Sequence, residues 1–291
     1  MQTPHILIVG CGDLGQRLGL LMQSQGWRIS ALRRSPEHLP AGFHPVRGDY
    51  TDPQDVTPLV ALKPHYVVFT PLPSARNPAG YEEGYAWATH YLAASGLLAQ
   101  CQGGLFVSST RVYGESNGGW VDEGSPLTDS DSSAASIIAA EQTFLDACPN
   151  GTVLRASGIY GDWPGMFVGR LMKGLSSPDP ERISNRIHRD DLARVMAFCL
   201  TRLHDGLPNS SVYVVSDEAP TPVGEIESWL ARHLNLPPAT AAASGRLGNR
   251  RCSSERLRRA GFEFRYPDYR AGFAELIRDY GNKPSPVGDT D

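Results

Sequence analysis

The sequence lacks the features that mark disulfide-rich, metal-binding and membrane proteins. Five cysteines are scattered over 291 residues, and none stands in a C-x-x-C pair. This spacing argues against a disulfide framework and against a zinc site, so we expect reduced thiols and no bound metal. The N-terminal stretch MQTPHILIVG has no basic segment, and its apolar run is too short for a signal peptide or a membrane span. We therefore expect a cytoplasmic protein that does not bind membranes.

Strong charge of either sign is also missing. The chain has 27 Lys and Arg against 31 Asp and Glu, a formal net charge of -4, so we expect no nucleic-acid partner. Arginines cluster in residues 246 to 270, but the interspersed acids Glu255, Glu263 and Asp268 favour a solvated helix face over a nucleic-acid surface. With 41% apolar residues, the chain is long enough to bury a sizeable core.

What is present is a regular alternation of strand-like and helix-like segments. The aliphatic runs HILIVG, WRISAL, YVVFT, LFVSS and TVLRAS predict strands. Residues 14 to 22 carry a helical stripe, TPLVALK predicts a helix with Thr57 as its N-cap, and further helices are predicted over residues 85 to 98 and 133 to 147. Parallel strands need such helical crossovers. The predicted fold class is therefore α/β, with a doubly wound parallel sheet.

A glycine-rich loop follows the first strand in ILIVGCGDLGQRLG. Its G-x-G-x-x-G pattern provides a tight turn, then room for a diphosphate, then close packing of helix on strand. The free N–H groups and the positive end of the dipole at a helix N-terminus attract a phosphate. We therefore predict a dinucleotide site, rather than a purely structural turn, formed by Gly10, Gly12, Asp13, Leu14 and Gly15.

The end of the second strand indicates which dinucleotide is bound. An acidic residue there would hold the ribose 2'-hydroxyl of NAD. The sequence has SALRRSPE instead, with Arg33 and Arg34 and no acid before Glu37. A guanidinium suits a phosphate, and one charge-assisted hydrogen bond contributes roughly 1.5 to 3 kcal/mol. We predict NADP as the cofactor, with NAD as the second choice, and two surface arginines as the alternative interpretation.

Four further segments carry a family resemblance: RGDYTD, SSTRVYG, LRASGIYG and NRIHRDDLA. In this order they resemble the extended short-chain dehydrogenase/reductases, also called the NAD-dependent epimerase/dehydratase family. The resemblance implies a Rossmann sheet that carries the dinucleotide, and Ser109 as a hydroxyl that hydrogen-bonds a substrate carbonyl or alcohol. It places Asp49 near the adenine. The other residues expected along the cofactor are Thr70, Pro71, Leu72 and Ser108.

The same resemblance implies a smaller C-terminal lobe that closes over a substrate. The regular alternation stops after Gly161, where proline and glycine become frequent. We predict a dinucleotide-binding Rossmann domain over residues 1 to 165, to which residues 187 to 204 return. Residues 166 to 186 and 205 to 291 would form the substrate-binding lobe, and the last eleven residues a loose tail.

One departure from the family pattern concerns its catalytic pair. In the family, a Tyr and a Lys four residues later stand on the helix after VYG, eight and four residues before a Glu. Counting back from Glu141 gives Ser133 and Ile137, and none of the chain's lysines follows a tyrosine by four residues. A phenol is a poor proton carrier near neutral pH unless a neighbouring cation stabilises its phenolate. The sequence therefore resembles the atypical branch of the extended family.

Several side chains are candidates for the missing acid or for substrate contact. Tyr113 should stand at the carboxyl end of the fifth strand, where open α/β sheets bind ligands. Tyr160 and His188 come from segments that the family places near the cleft, and His188 has a suitable ordinary pKa. For each of the three, packing or hydrogen bonding is the alternative. Thr110 and Ser133 are expected beside the substrate, and Arg111 could hold an anionic substrate or lie exposed.

These observations support two function classes. The first is an NADP(H)-dependent oxidoreductase or epimerase-like enzyme that acts on a small hydroxyl or carbonyl compound such as a nucleotide-sugar, with Ser109 and Tyr113 as its catalytic residues. The alternative is a non-catalytic NADP(H)-binding sensor, which the missing Tyr and Lys favour. By the family's habit, a homodimer would pack through helices at residues 85 to 98 and 133 to 147.

Overall fold

The computed structural model describes residues 3–128, 130–242 and 248–280, with the side chain of Tyr280 excluded. The predicted C-terminal tail, residues 281 to 291, lies outside the described residues. The strands are β1 (His5–Val9), β2 (Arg28–Arg33), β3 (His44–Arg47), β4 (Tyr66–Phe69), β5 (Gly103–Ser109), β6 (Trp120–Val121), β7 (Gly151–Ala156), β8 (Gly158–Tyr160), β9 (Leu175–Ser176), β10 (Ile183–Ser184), β11 (Arg186–His188), β12 (Val212–Val215), β13 (Thr221–Pro222), β14 (Thr240–Ala241) and β15 (Arg251–Cys252).

The α-helices are α1 (Asp13–Ser24), α2 (Pro53–Val56), α3 (Pro78–Tyr81), α4 (Ala88–Ala94), α5 (Leu97–Gln100), α6 (Ser132–Ala147), α7 (Gly165–Met172), α8 (Arg189–His204), α9 (Val223–His233), α10 (Glu255–Arg259) and α11 (Tyr269–Tyr280). A π-helical segment, Glu82–Trp87, joins α3 to α4. Short 3-10 turns are Pro36–His38, Thr57–Leu62 and Thr110–Val112. Helices or short helical turns therefore alternate with the strands of the first half of the chain, as the sequence predicts.

The central sheet has seven strands in the order β12-β7-β5-β4-β1-β2-β3. Every pairing in it is parallel. From β1 the chain adds β2 and then β3 on one side, and it then crosses back to add β4 on the other side of β1. In open α/β sheets a ligand binds beside the carboxyl ends of the strands where the order reverses. The doubly wound α/β prediction is confirmed, and the reversal lies between β1 and β4.

Alternating side chains of the central strands fill two cores, one on each face of the sheet. Ile6 and Ile8 of β1 face the core that α1 and α8 cover, and Leu7 and Val9 face the core under α4 and α6. Helices cover both faces, so the strands are apolar on both sides. A third cluster, in the C-terminal part, consists of Tyr160, Val168, Leu171, Ile226, Leu230, Tyr269, Phe273 and Leu276. This separate cluster is consistent with the predicted smaller lobe.

The predicted lobe boundary at residue 205 needs a correction. Val212–Val215 form β12, which pairs with β7 as an edge strand of the central sheet. Leu257 and Phe262 also pack in the first core. The chain therefore returns to the large sheet a second time, after α8. This return was missed because the segment SVYVVS lies beyond the point where the regular alternation of strands and helices stops.

Two predicted helix starts were also wrong. The helix predicted at Thr57 begins earlier as α2, where the Asp52 side chain caps the N-terminus and Pro53 follows it, and Thr57–Leu62 is a 3-10 turn. The helix predicted from residue 85 begins with α3, capped by Asn77. In both cases an Asx–Pro pair upstream supplies the cap and the first helical residue.

All five cysteines are free and buried, as predicted. Among residues 3–128, 130–242 and 248–280, no helix is both long and apolar enough to cross a membrane. The same residues contain no cluster of His, Cys, Asp and Glu that could hold a metal ion.

Candidate functional site

The glycine loop between β1 and α1 places backbone that carries no side chains, that of Gly10 and Gly12, at the carboxyl end of the sheet. Gly10 has a φ of 81°, and a Cβ there would stand 2.9 Å from the Thr70 carbonyl oxygen. A Cβ on Gly15 would lie 2.9 Å from Cγ2 of Ile8, so this glycine sets the close approach of α1 to β1. Gly12 is the N-cap of α1 and provides no side-chain cap. The first-turn N–H groups of α1 therefore remain available to an anion.

Three cavities form a line along this edge of the sheet. The first, about 380 Å³, lies over the ends of β1 and β2 and is lined by Gly10, Cys11, Gly12, Arg33, Arg34, Ser35, Gly48, Asp49, Tyr50, Thr51, Thr70, Leu72, Pro73 and Ser74. Both predicted arginines and Asp49 thus face one space. The Asp49 carboxylate accepts hydrogen bonds from the N–H and the hydroxyl of Thr51, which fix its position.

The second cavity, about 540 Å³, continues from the first and shares Gly10, Gly12, Thr70 and Leu72 with it. Its lining adds the predicted residues Asp13, Leu14, Pro71, Ser108, Ser109 and Tyr160, and the unpredicted residues Tyr85, Val107, Ala156, Ser157, Ile159, Asp162 and Arg189. Val107 and Ala156 make part of this wall apolar. The two cavities together have the elongated shape that a dinucleotide needs.

The carboxylate of Asp13 stands in the first turn of α1, where it would repel a diphosphate. Arg17 donates to Asp13 at 3.0 Å, and Arg189 of α8 lies 3.5 Å from the same oxygen. Arg17 also bonds Asp190. These pairs offset the charge of Asp13 and join the N-termini of α1 and α8 beside the cavity.

The third cavity, about 500 Å³, opens from Ser109, which also lines the second. Thr110 lines it, as predicted, together with three arginines, Arg111, Arg182 and Arg250. Burial lowers the pKa of Arg182 and of Arg250. Neither forms a salt bridge with a carboxylate in the described part of the chain. The remaining lining residues are Tyr81, Gly158, Ile159, Met166, Ile183, Ser184, Asn185 and Gly248.

Tyr113 does not reach any of these cavities, so its predicted catalytic role is withdrawn. The residue is 1% exposed, and its hydroxyl accepts a hydrogen bond from Nη1 of Arg155 at 3.2 Å. Burial raises the pKa of Tyr113 to about 12. The chain turns after Ser109 through Thr110–Val112, so Tyr113 points into the core rather than along the strand direction.

His188 and Tyr160 also have structural partners. Nδ1 of His188 accepts the backbone N–H of Asp190 at 3.2 Å and so caps α8. Its ring packs between Tyr160 and Tyr266, 5.1 and 3.9 Å from their ring centres. Burial lowers the pKa of His188. Tyr160 lines the second cavity, but its hydroxyl is directed at Gly272 of α11, so neither group presents a proton to the cleft.

The face of α6 towards the sheet carries Ser133, Ile137 and Glu141, all buried. Glu141 pairs with Arg155 of β7 at 2.7 Å and accepts a hydrogen bond from the Ser108 hydroxyl. Glu141 therefore stands behind Ser108. The positions that the family pattern assigns to the Tyr and the Lys are filled by Ser133 and Ile137.

Sequence reasoning named Arg111 but missed the other two arginines of the third cavity, and it missed Tyr81 of the third cavity and Tyr85 of the second. Arg182 and Arg250 come from loops around β10 and β15, far apart in sequence, and no motif joins them. Tyr81 and Tyr85 stand one helical turn apart, which is a signal that the sequence does contain. Gly15 lines neither of the first two cavities and acts through packing against Ile8.

The parallel sheet, the glycine loop at its reversal and the line of cavities define a dinucleotide-binding α/β protein of the extended short-chain dehydrogenase type. The chain belongs to the NAD-dependent epimerase/dehydratase family. It is 34% identical to a structure from Methylobacillus flagellatus assigned to that family, with 96% of this chain and 99% of that chain covered and a TM-score of 0.78.

Two further proteins extend the comparison. Protein YeeZ of Escherichia coli strain K12 is 27% identical over 278 residues, which cover 90% of this chain and 96% of YeeZ. The UDP-glucose 4-epimerase of Thermus thermophilus, solved in complex with NAD, is 18% identical, with 96% of this chain and 100% of that chain covered and a TM-score of 0.81. At that identity the likeness shows the fold alone. No family model matches the chain.

Proposed function

We propose that the protein binds NADP(H) and catalyses oxidoreduction or epimerisation at a hydroxyl-bearing or carbonyl carbon of a small anionic compound, such as a nucleotide-sugar. The observation that carries the proposal is the continuity of the three cavities. They run from Arg33 and Arg34 past the glycine loop to Ser109, and then into an arginine-lined space. A cofactor and a substrate placed end to end would meet at Ser109.

The first two cavities fit a nicotinamide dinucleotide. A Cβ on Gly12 would find only the Gly10 carbonyl oxygen, at 3.9 Å, within contact range, so a phosphate oxygen has room there. The uncapped first turn of α1 would hold the diphosphate, Asp49 the adenine, and the segment from Thr70 to Leu72 the middle of the cofactor. The apolar wall beside Ser108 suits a nicotinamide ring.

The preference for NADP over NAD rests on the end of β2. Arg33, Arg34 and Ser35 line the first cavity, and Arg34 is exposed, with Asp49 as its ionic neighbour at 3.9 Å. Glu37, the first acid after this strand, is paired with Arg47. A 2'-phosphate would therefore meet two guanidinium groups.

Ser109 is suited to orient the substrate oxygen. Its Oγ accepts the backbone N–H of Arg111 at 3.2 Å. Because that bond uses a lone pair, the hydroxyl hydrogen can point into the cleft and donate to a carbonyl or alcohol oxygen. The bound dinucleotide would accept a hydride from the substrate carbon that bears this oxygen, or would donate one to it.

The anionic nature of the substrate rests on the third cavity. Arg182 and Arg250 are half-buried and line it without a carboxylate partner among the described residues. Burying a cation without a counter-charge is costly, even though Nη1 of Arg250 donates to the Thr110 carbonyl oxygen. An anionic ligand would offset that cost. A diphosphate with an attached sugar would combine such charge with the hydroxyl groups that Ser109 needs.

The comparisons do not favour the alternative of a non-catalytic sensor, and we do not propose it. We do propose a homodimer. Trp87, at the end of the π-helical segment, is 49% exposed and lies within the predicted dimer helix, residues 85 to 98. A large apolar side chain that remains exposed on such a helix is typical of a contact surface.

Two measurements on the purified protein test the proposed function. Calorimetry should detect binding of NADPH and of NADP, more tightly than NADH and NAD. Turnover of the bound cofactor should appear with at least one member of a panel of sugar nucleotides, aldehydes and ketones. Tight cofactor binding without turnover across the panel would count against the enzyme, and absence of any dinucleotide binding would overturn the proposal.

A further inference from the structure

Two tyrosines face the cleft from the segment between β4 and β5. Tyr85 lines the second cavity and Tyr81 lines the third. Their rings are stacked, with centres 5.8 Å apart and an angle of 9° between the planes. Ser109 lines both cavities, so the stacked pair and the Ser109 hydroxyl face the same space, where the reacting oxygen of a substrate would lie.

The tyrosines pack against α6, the helix on which the catalytic pair is missing. α3 and the π-helical segment both contact α6. On that helix Ser133 and Ile137 are buried, and Ile137 cannot stabilise a phenolate. The phenol groups that reach this part of the cleft therefore come from the neighbouring helix.

A cation stands beside Tyr81. The Arg111 guanidinium lies 4.8 Å from the centre of the Tyr81 ring. Its Nε and Nη2 donate to Asp131 at 2.7 and 3.0 Å, and this leaves Nη1 at the opposite edge of the guanidinium. The hydrogen bonds that Arg111 donates to Asp131, and to a smaller extent its interaction with Tyr81, raise the pKa of Arg111 against the effect of burial. Asp131 also caps α6, so the cation has a fixed position.

Tyr85 has a different setting. Burial raises its pKa, its side chain is 7% exposed, and it packs against Phe106, with ring centres 6.4 Å apart. It therefore serves as a neutral wall of the second cavity and supports the Tyr81 ring. Of the two phenols, only Tyr81 combines access to the third cavity with direct contact to a guanidinium.

We propose that Tyr81 is the proton donor and acceptor of the reaction and that Arg111 is the positioning cation that activates it. The proposal rests on the proposed function. In the oxidation direction, Tyr81 acts as the phenolate: the substrate O–H proton passes to its Oη, which becomes the neutral phenol, and the C–O bond becomes a carbonyl. The C–H bond breaks with its electron pair, and the hydride reduces the nicotinamide dinucleotide. In the opposite direction, Tyr81 returns the proton to the carbonyl oxygen that Ser109 orients.

An aryl sulfonyl fluoride tests the activation of Tyr81 without any cofactor or substrate. The phenol oxygen bonds to sulfur, fluoride leaves and the phenol proton passes to solvent. Tyr91, partly exposed on α4 and away from the three cavities, is the internal control. Because it stacks on Trp87 of the proposed dimer contact, labelling is done after dilution to a protein concentration at which light scattering gives the single-chain mass. We expect Tyr81 to be modified about tenfold faster than Tyr91, because the Arg111 guanidinium that packs on its ring would stabilise the negative charge that develops on the attacking oxygen. Mass spectrometry of the labelled peptides measures both rates.

Variants of Arg111 separate activation from structural support. Arg111→Gln should reduce labelling of Tyr81 to the rate of Tyr91, and Arg111→Lys, which keeps the cation, should restore most of it. A Tyr81 that reacts no faster than Tyr91, or at an unchanged rate in Arg111→Gln, overturns the assignment.

Tyr81→Phe keeps the stacked ring and removes only the hydroxyl. It should bind dinucleotide as the unmodified protein does, and should lower turnover of a panel substrate about 10² to 10⁴-fold, the contribution of a positioned acid or base. Full turnover in Tyr81→Phe would contradict the assignment. A wild-type protein that binds no dinucleotide would instead overturn the proposed function, so the two failures are distinguishable.

Discussion

Under the proposed function, Arg33 and Arg34 are the side chains that would distinguish NADP from NAD in this cleft. We expect Arg33→Ala and Arg34→Ala each to lower the ratio of NADPH to NADH affinity about 10 to 100-fold, since each removes a charge-assisted hydrogen bond to the 2'-phosphate. Calorimetric titration with both cofactors measures the ratio.

Arg28→Ala is the matched control for these variants. Arg28 stands on the same strand, β2, at its opposite end, and donates to His5. The change in net charge is the same, but the side chain is remote from the first cavity. An unchanged affinity ratio in Arg33→Ala and Arg34→Ala, or an equal loss in Arg28→Ala, would contradict the NADP assignment.

Individual residues show where sequence reasoning succeeds and where it fails. Arg33, Asp49 and Ser109 reach the cleft because each directly follows or ends a parallel strand, so the strand pattern fixes the position. Tyr113 lies only four residues beyond Ser109, yet a single 3-10 turn redirects it into the core. A turn of three residues has no hydrophobic period to reveal its direction.

At the scale of elements, two glycines of the loop between β1 and α1 have different roles: one leaves space for a ligand, and the other allows the helix to pack on the strand. Gly12 has room for a Cβ, whereas a Cβ on Gly15 would meet Cγ2 of Ile8 at 2.9 Å. We expect Gly12→Ala to leave the free energy of unfolding within about 0.5 kcal/mol and to weaken dinucleotide binding, because the methyl group would occupy the space of a phosphate. Urea unfolding and calorimetry measure the two effects.

Gly15→Ala should show the opposite pattern. Overpacking between α1 and β1 typically costs about 1 to 3 kcal/mol, and the phosphate space itself stays open. If the Gly12→Ala variant binds NADPH with unchanged affinity, the diphosphate does not approach this loop.

The elements themselves were predictable to different degrees. β1 and β5 follow directly from aliphatic runs, because a strand buried on both faces needs apolar side chains at almost every position. α1 follows from the glycine loop and the apolar stripe after it. The starts of α2 and α3 were missed because their caps, Asp52 and Asn77, lie in polar stretches without an apolar period. Tyr81 at the end of α3 and Tyr85 in the π-helical segment were missed for the same reason, since their placement depends on packing against α6.

At the scale of the whole molecule, His5 links stability to pH. It is 1% exposed, and burial, with the nearby Arg28 charge as a second cause, lowers its pKa from 6.5 to about 4. Below pH 6.5 the unfolded chain binds a proton at His5 that the folded chain does not bind until about pH 4. The free energy of unfolding should therefore fall as the pH drops through this interval.

His5→Gln removes the titrating group and should flatten this part of the profile, measured by urea unfolding at a series of pH values. His38 is exposed on the Pro36–His38 turn, and His38→Gln should leave the slope unchanged. A slope that persists in His5→Gln would assign the pH dependence to other groups.

The oligomeric state depends on a surface that no fold argument alone can assign. Trp87 stacks on Tyr91, with ring centres 6.3 Å apart, and meets His90 edge-on at 6.0 Å. This aromatic patch lies on the α4 side of the molecule, next to α6. We expect light scattering to give twice the 31.6 kDa mass of one chain, because an aromatic patch of this kind supplies the anchors of a contact surface.

Trp87→Glu should shift the mass to that of a single chain, since a carboxylate buried in the contact would lack a partner. The matched control is Trp120→Glu, because Trp120 is 62% exposed on β6 and outside the patch, so its substitution should leave the mass unchanged. Circular dichroism should show the same fold for both variants, as each side chain is largely outside the core. A single-chain mass for the unmodified protein at every concentration tested would rule out the dimer, and a dimer that survives Trp87→Glu would place the contact elsewhere on the surface.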